Sequence, residues 1–209
     1  MDTRHKILDK ALEMFNERGI EYVGLRELAS VLDMRVSNIT YYFPTKDDLV
    51  YHLSTELSKK NAGVIVQKET LTMTGFFEMF QQVFHHHFEF RCLLLSVVHL
   101  MKQNKHMANE YKKTQKQRND TIKSNLQALE KAGYIKMVDE GDIEYLVSGI
   151  SLVSRFWISE AAISYRDWSF GQQIGHYLFL IAKLLIPFST AKGKREIGSF
   201  LATLNLQAK

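Results

Sequence analysis

Apolar residues recur every three or four positions along the chain, which is the spacing that buries one face of an α-helix. Four segments near the N-terminus have this pattern, at Ile7, Leu8, Ala11, Leu12 and Phe15; Leu25, Leu28, Ala29 and Leu32; Val36, Ile39 and Phe43; and Leu49, Leu53 and Leu57. Gly19 and Pro44 follow the first and third segments, where a left-handed residue or a proline ends a helix. Thr45 is placed to cap the fourth helix, which we expect to run to about residue 65.

Longer helices are predicted beyond residue 72. The stretch 76–102 is rich in Phe, Leu and Val, and the stretch 106–132 is polar and basic and is closed by Gly133. Asp139 and Ser169 are placed to cap helices over 140–164 and up to Pro187. A last amphipathic segment contains Ile197, Phe200, Leu201 and Leu204. The pattern predicts an all-α chain with a break between its two halves near residues 62–75.

Composition narrows the class of protein. The chain has 209 residues, of which 45% are hydrophobic and 24% are charged, as in ordinary globular proteins. Its formal charge of +4 is compatible with a polyanionic partner. Cys92 is the single cysteine, which excludes an intrachain disulfide framework and a multi-cysteine zinc site. No apolar leader begins the chain, and no uncharged apolar run approaches the ~18–20 residues that cross a bilayer. These features predict a soluble cytoplasmic protein without membrane association.

Residues 24–43 have the pattern of a helix-turn-helix, which is two short helices joined by a tight turn. Ala29 is small where the two helices would cross, and Asp33 stands in the turn, where a left-handed backbone is needed. Val36, Ile39 and Phe43 would hold the second helix against the first. The side chains left facing outward suit base edges and phosphates; they are Arg35, Ser37, Asn38, Thr40 and Tyr41.

Over residues 4–53 the chain resembles the tetracycline-repressor (TetR) family of transcription regulators. The resemblance rests on Arg26 to Ala29, Asn38 with Ile39, Tyr41 to Phe43, and Lys46 to Leu49. It implies an all-α fold, with an N-terminal three-helix helix-turn-helix DNA-binding domain at 1–48 and a larger helical ligand-binding and dimerisation domain at 49–209. It also implies a ligand-responsive regulator, acting as a repressor, that binds a palindromic operator in double-stranded DNA as a homodimer.

The resemblance assigns DNA contacts to the helix from Val36 to Tyr42 and to its surroundings. The DNA-binding residues that it implies are Arg26, Arg35, Val36, Ser37, Asn38, Thr40, Tyr41, Tyr42, Thr45 and Lys46. The chain departs from the family pattern at Gly24, Asp33 and Thr40, where Thr, Gly and Tyr are usual. Residues 1–60 contain nine basic and ten acidic residues. This balance argues against a basic DNA-binding domain unless the basic side chains lie at the reading surface.

The second half is apolar on more than one helix face. A wide apolar surface needs a second partner, and the family pairs its last two long helices with those of a second copy. The expected dimer interface is Leu146, Ile150, Val153, Trp157, Ile174, Leu178, Ile181 and Leu185. Aromatic residues between 76 and 90 are mostly core, but the family also places a ligand site among these helices. The expected lining of a small apolar ligand is Phe84, His87, Phe88, Phe156 and Glu160.

Two other function classes remain open from the residues alone. A helical metal-binding enzyme would need histidines to converge, but His85, His86 and His87 are consecutive and point about 100° apart on a helix. The sequence has no phosphate-binding glycine loop and no nucleophile elbow. We therefore expect no catalytic residue, no metal and no cofactor. The third class is a helical interaction module that does not bind DNA.

Overall fold

The computed structural model describes residues 2–64 and 71–204, and these residues are helical, as predicted. The described helices are α1 (Thr3–Arg18), α2 (Leu25–Val31), α3 (Val36–Tyr42), α4 (Lys46–Val64), α5 (Met73–Glu89), α6 (Arg91–Leu95), α7 (Val97–Gln103), α8 (Lys105–Lys131), α9 (Glu140–Ser164), α10 (Phe170–Leu185) and α11 (Ala191–Thr203). Short 3₁₀ turns occupy Ile20–Tyr22 and Ile186–Phe188. The predicted break near 62–75 and the predicted helix end near 65 lie partly outside the described residues.

Local sequence signals begin several of these helices. The Asp139 carboxylate accepts hydrogen bonds from the backbone N–H groups of Gly141 and Asp142 at the start of α9. Ser169 and Gln172 form a reciprocal capping box at the start of α10. Both caps confirm the predictions, because such side chains satisfy N–H groups that have no partner within the helix.

The apolar stretch 76–102 forms three helices rather than one long element. α5 ends at Glu89 and α6 at Leu95, and the backbone of Phe90 departs from helical geometry at φ −107° and ψ 32°. Neither a glycine nor a proline marks this break in the sequence. The Asn16 side chain, from α1, bonds backbone groups on both sides of this break.

The chain divides into two compact units. The first comprises 1–60 and 87–112, and the second comprises 61–86 and 113–209. The division does not follow the predicted domain boundary at 48/49, which stays a prediction about function. The core of the first unit includes Ile7, Phe15, Leu28, Ile39, Phe43 and Leu53, each no more than 1% exposed.

The second unit is built around α9 and α10, which pack against each other. Trp157 of α9 stacks on Phe84 of α5, with ring centroids 4.9 Å apart. Phe200 of α11 stacks on Phe77 of α5 at 4.8 Å. Aromatic rings thus hold three helices of this unit together. Residues Gly141–Ser164 of α9 are long and apolar enough to span a membrane by length and composition alone, a test that core helices also pass, and 44% of the most apolar window is buried.

The turn between α2 and α3 has a backbone strain that can be relieved. Asp33 has φ of +52°, and among the described residues it is the one non-glycine residue with positive φ. We expect Asp33→Gly to raise the free energy of unfolding by about 0.5–1 kcal/mol, because glycine adopts this conformation without a steric penalty. Urea unfolding would measure the change. The matched control is Asp47→Gly, in the first turn of α4, which should lower stability by about 1 kcal/mol. Equal losses in the two variants would contradict the expectation.

Candidate functional site

Helices α2 and α3 form the predicted helix-turn-helix. The N–H of Met34 donates to the Ala29 carbonyl at 2.9 Å, and the N–H of Asp33 donates to the Ser30 carbonyl at 3.2 Å. These bonds reverse the chain in a few residues. Ala29 is 1% exposed and Ile39 is fully buried, so the small residue of α2 and the apolar side of α3 lie in the core. The opposite side of α3 is therefore left for solvent or a ligand.

Most of the predicted DNA-binding residues lie on the surface. Tyr41 is 81% exposed and Val36 is 37% exposed. Three members of the set are half-buried, namely Thr40, Tyr42 and Lys46. The exposed members are Arg26, Arg35, Val36, Ser37, Asn38, Tyr41 and Thr45. The rings of Tyr41 and Tyr42 pack edge to face at 5.0 Å. The arrangement presents amide, hydroxyl and guanidinium groups from one short helix and its flanks.

Two of the predicted DNA-binding residues, Thr45 and Lys46, also have partners within the chain. Lys46 Nζ donates to the Ile20 carbonyl oxygen at 2.9 Å and to the Glu21 carbonyl oxygen at 3.4 Å. The Thr45 hydroxyl donates to the Asp48 carboxylate at 2.8 Å and accepts from the Asp48 N–H at 3.1 Å. Lys46 thereby fastens α4 to the turn after α1, a role that its position in the motif did not predict.

An arginine and a histidine hold α1 against α4 beneath the motif. Arg4 donates to Nδ1 of His52 at 3.0 Å, and its guanidinium lies 5.2 Å from the Phe43 ring centroid. Burial lowers the pKa of His52, and the Arg4 charge lowers it further. The bond requires a neutral imidazole, since Nδ1 must accept. The stabilisation is therefore present above about pH 6.5 and is lost as the pH falls below that value.

The predicted ligand-binding residues fall into different surroundings. Phe84 is buried against Trp157, while Phe156 is half-buried and Glu160 is exposed. The Glu160 carboxylate accepts a hydrogen bond from the Tyr177 hydroxyl. These three predicted residues belong to the second compact unit, whereas His87 and Phe88 belong to the first. Their shared role as a pocket lining stays a prediction.

Most residues of the predicted dimer interface are buried within the single chain, and their role in dimerisation stays a prediction. Seven of the eight predicted side chains are at most 3% exposed. They form the intramolecular core between α9, α10 and their neighbours. Val153 is half-buried. The seven buried residues are Leu146, Ile150, Trp157, Ile174, Leu178, Ile181 and Leu185.

A different face of α9 carries exposed apolar side chains. Tyr145 is 56% exposed, Leu152 is 60% exposed and Ile163 is 82% exposed. They follow one another at intervals of seven and eleven residues, which places them on one side of the helix. Leu184 of α10 lies beside this face, because a Cβ added at Gly149 would stand 3.2 Å from its methyl carbon. We call Tyr145, Leu152, Ile163 and Leu184 the outer α9–α10 face.

The three consecutive histidines have separate partners. The Nδ1 atom of His85 lies 2.7 Å from the Gln81 carbonyl oxygen, and that of His86 lies 3.0 Å from Oδ1 of Asn61. His87 is 5% exposed. Within residues 2–64 and 71–204, no group of three His, Cys, Asp or Glu side chains is arranged to hold a metal ion.

Models of two protein families match the chain. The model described as "Bacterial regulatory proteins, tetR family" matches residues 7–53, and the TetR model described as "Bacterial transcriptional repressor" matches residues 61–197. The probable HTH-type transcriptional regulator YttP of Bacillus subtilis (strain 168) is 38% identical over 56 residues, which is 27% of either chain. The chain thus matches about a quarter of the length of this curated relative.

Solved structures share the fold over the whole length. A TetR-family transcriptional regulator from Marinobacter aquaeolei VT8 has a TM-score of 0.90 at 19% identity, covering 98% of this chain and 99% of that one. A γ-butyrolactone receptor (ArpA-like protein) has a TM-score of 0.70 at 10% identity, covering 99% and 98%. SmeT in complex with triclosan has a TM-score of 0.65 at 11% identity, covering 91% and 93%.

Proposed function

The chain belongs to the tetR family of bacterial transcriptional regulators, and we propose that it is a homodimeric cytoplasmic repressor whose operator binding is released by a small apolar ligand. It is a DNA-binding regulator and not an enzyme. Its DNA partner is a palindromic duplex, because two copies related by a two-fold axis contact two equivalent half-sites. The ligand binds in the C-terminal part of the chain, where SmeT and the γ-butyrolactone receptor provide precedents by name.

The observation that supports DNA binding most directly is the exposed polar side of α3 opposite fully buried Ile39. A helix fixed by its apolar side presents its polar side chains in one orientation, as major-groove reading requires. Asn38 carries an amide that can bond an adenine bidentately, and Arg35 can bond a guanine or a phosphate. The exposed side chains of Arg26 and Arg35, which can neutralise phosphates, flank this helix in the sequence. The net acidity of residues 1–60 therefore does not oppose the assignment.

The experiment that tests this function is selection of bound DNA from a random duplex library, followed by affinity measurement at several salt concentrations. We expect an enriched inverted repeat whose half-site centres lie one helical turn apart, ~34–36 Å. Affinity for it should fall steeply as salt rises, because phosphate contacts release counterions. Enrichment of no sequence would contradict the proposal and would favour a module that does not bind DNA.

Asn38 is the residue whose loss should change sequence preference most. We expect Asn38→Ala to weaken binding of the selected duplex by about 1–3 kcal/mol, roughly 5- to 150-fold, while binding of an unrelated duplex stays as it was. Fluorescence anisotropy with both duplexes measures the difference. Asn109→Ala, on the exposed surface of α8, is the matched control and should alter neither affinity. If Asn38→Ala weakens both duplexes equally, α3 does not read bases through this side chain.

Dimerisation uses the outer α9–α10 face. Three of its apolar side chains, Tyr145, Leu152 and Ile163, are exposed in the single chain, and large exposed apolar patches mark interaction sites. Gly149 lies between Tyr145 and Leu152, and its lack of a side chain lets Leu184 of α10 pack closely against α9 at this face. Leu146 and Leu178 lie on the buried sides of the same two helices, where they pack within the single chain.

Ligand binding and operator binding oppose each other through linkage. A ligand that fits one conformation better shifts the population toward it, and the shift cannot exceed the difference in its two affinities. A screen for compounds that raise the melting temperature would find candidate ligands. A stabilising compound should also release the selected duplex in an anisotropy titration. Stabilising compounds that leave duplex affinity unchanged would contradict this linkage.

A further inference from the structure

The carboxamide of Asn16, in α1, closes the break between α5 and α6. Its Nδ2 donates to the Glu89 carbonyl oxygen at 2.7 Å, and its Oδ1 accepts from the Cys92 N–H at 3.0 Å. The Leu93 N–H turns instead to the Phe90 carbonyl oxygen at 3.0 Å. A single side chain therefore satisfies the last carbonyl of α5 and an early N–H of α6. We call residues 89–92 the α5–α6 junction.

A second helix holds the same junction. Lys60, in α4, donates to both carboxylate oxygens of Glu89 at 2.6 and 2.7 Å, and its ammonium lies 5.5 Å from the Phe90 ring centroid. Phe90 itself is 2% exposed. α1 and α4 are also the helices that flank α2 and α3 in the sequence. The junction is thus fastened to the two elements that frame the helix-turn-helix.

The two attachments differ in strength. Lys60 and Glu89 are 44% and 45% exposed, and exposed ion pairs contribute little. Of the two Asn16 bonds, the one to the Glu89 carbonyl is exposed and the one from the Cys92 N–H is part-buried, so the Cys92 N–H is the group that loses most when Asn16 is removed. Separating α6 from α5 at this junction requires breaking the Asn16 bonds.

We propose that Asn16 is a positioning residue that couples the helix-turn-helix to the α5–α6 junction, so that operator binding and opening of the junction are thermodynamically linked. The inference rests on the proposed DNA-binding function and adds a residue that links junction opening to operator binding. Linkage is reciprocal: if junction opening weakens operator binding, operator binding must suppress junction opening by the same factor. This reciprocity allows a test that needs no identified inducer.

Cys92 provides a built-in probe of junction opening. It is the single cysteine of the chain, and it lies within the junction. Burial raises the pKa of its thiol to about 12. The Cys92 thiolate attacks the CH2 carbon of iodoacetamide, forming a thioether and releasing iodide, so Cys92 reacts when the junction opens and water reaches the sulfur. The labelling rate of the full chain, followed by mass spectrometry, therefore measures the opening equilibrium.

The first arm of the experiment compares variants without DNA. We expect Asn16→Ala to raise the Cys92 labelling rate about tenfold or more. Asn16→Asp keeps the acceptor for the Cys92 N–H but loses the donor to Glu89, so its rate should lie between those of Asn16→Ala and wild type. Glu17→Ala, at the next and exposed position of α1, is the matched control and should label like wild type. Rates that do not change with low urea identify local opening rather than global unfolding.

The second arm adds the selected operator duplex at saturation. In wild type, the duplex should slow labelling at least severalfold; in Asn16→Ala, it should bind yet leave the labelling rate unchanged. Equal slowing in both proteins would overturn the coupling role and leave Asn16 structural. No slowing in wild type would overturn the linkage itself. Anisotropy recorded first separates these results from failure of the proposed function, because a chain that binds no duplex overturns both. If Asn16→Ala does not fold, Asn16→Asp carries the same comparison.

Discussion

Gly193→Ala is expected to lower the free energy of unfolding by about 3 kcal/mol and the melting temperature by roughly 6–12 °C. A Cβ added at Gly193 would overlap the carbonyl oxygen of Tyr134 and lie 3.3 Å from Ser189 Cβ. The obstacle is backbone, so no rotamer change relieves it. That carbonyl also accepts from the Thr190 N–H at 3.0 Å, which fastens the start of α11 to the turn after α8. Moving α11 away would break this bond.

Gly198→Ala is the matched control in the same helix. Nothing lies within 4 Å of a Cβ added there, and the residue is exposed. Alanine favours the helix over glycine, so this variant should gain about 0.5–1 kcal/mol. Circular dichroism at increasing temperature compares the two proteins with wild type. Equal melting temperatures in the two variants would show that α11 does not pack closely on the Tyr134 turn.

Leu152→Asp is expected to convert the protein to a monomer and to weaken operator binding by about a hundredfold or more. Leu152 is 60% exposed at the middle of the outer α9–α10 face. A carboxylate buried without a partner in an interface costs several kcal/mol. A monomer then binds one half-site at a time and loses the gain in effective concentration that a second, connected recognition helix provides. Light scattering after size exclusion gives the mass, and anisotropy gives the affinity.

Val98→Asp controls for the introduction of a charge. Val98 is 56% exposed on α7, nearly the same as Leu152, but it lies outside the outer α9–α10 face. This variant should remain dimeric and should bind the selected duplex like wild type. A dimeric Leu152→Asp protein with unchanged affinity would place the contact between copies elsewhere. A monomeric wild-type protein that binds the palindrome tightly would remove the need for dimerisation.

The features that sequence predicted well are those determined within a few residues. Asp33 adopts the left-handed backbone, and Asp139 and Ser169 cap their helices, because each depends on bonds to neighbours two to four positions away. The break at Phe90 depends on Asn16, which is 73 residues from Glu89 and 76 from Cys92. No local pattern reveals such a partner. The second role of Lys46 likewise depends on a carbonyl 26 residues away.

The candidate surfaces show a second limit of sequence patterns. α9 is apolar on two sides, and periodicity cannot tell which side meets its own chain. Leu146 is fully buried whereas Leu152 is 60% exposed, although both lie on apolar stripes of the same helix. Exposure in the folded chain distinguishes the two stripes, and we propose the exposed one as the contact with a second copy. The pattern of α3 leaves less choice, since this helix has one apolar side and few ways to bury it.

The outer α9–α10 face has a consequence for how much of this protein a cell must contain. An unpaired subunit leaves Leu152 and Ile163 exposed to water, where other apolar surfaces, chaperones and proteases can bind them. Pairing depends on concentration, so the fraction of paired subunits rises as expression rises. Gene dosage would then influence how much paired protein is available for regulation before any signal molecule arrives.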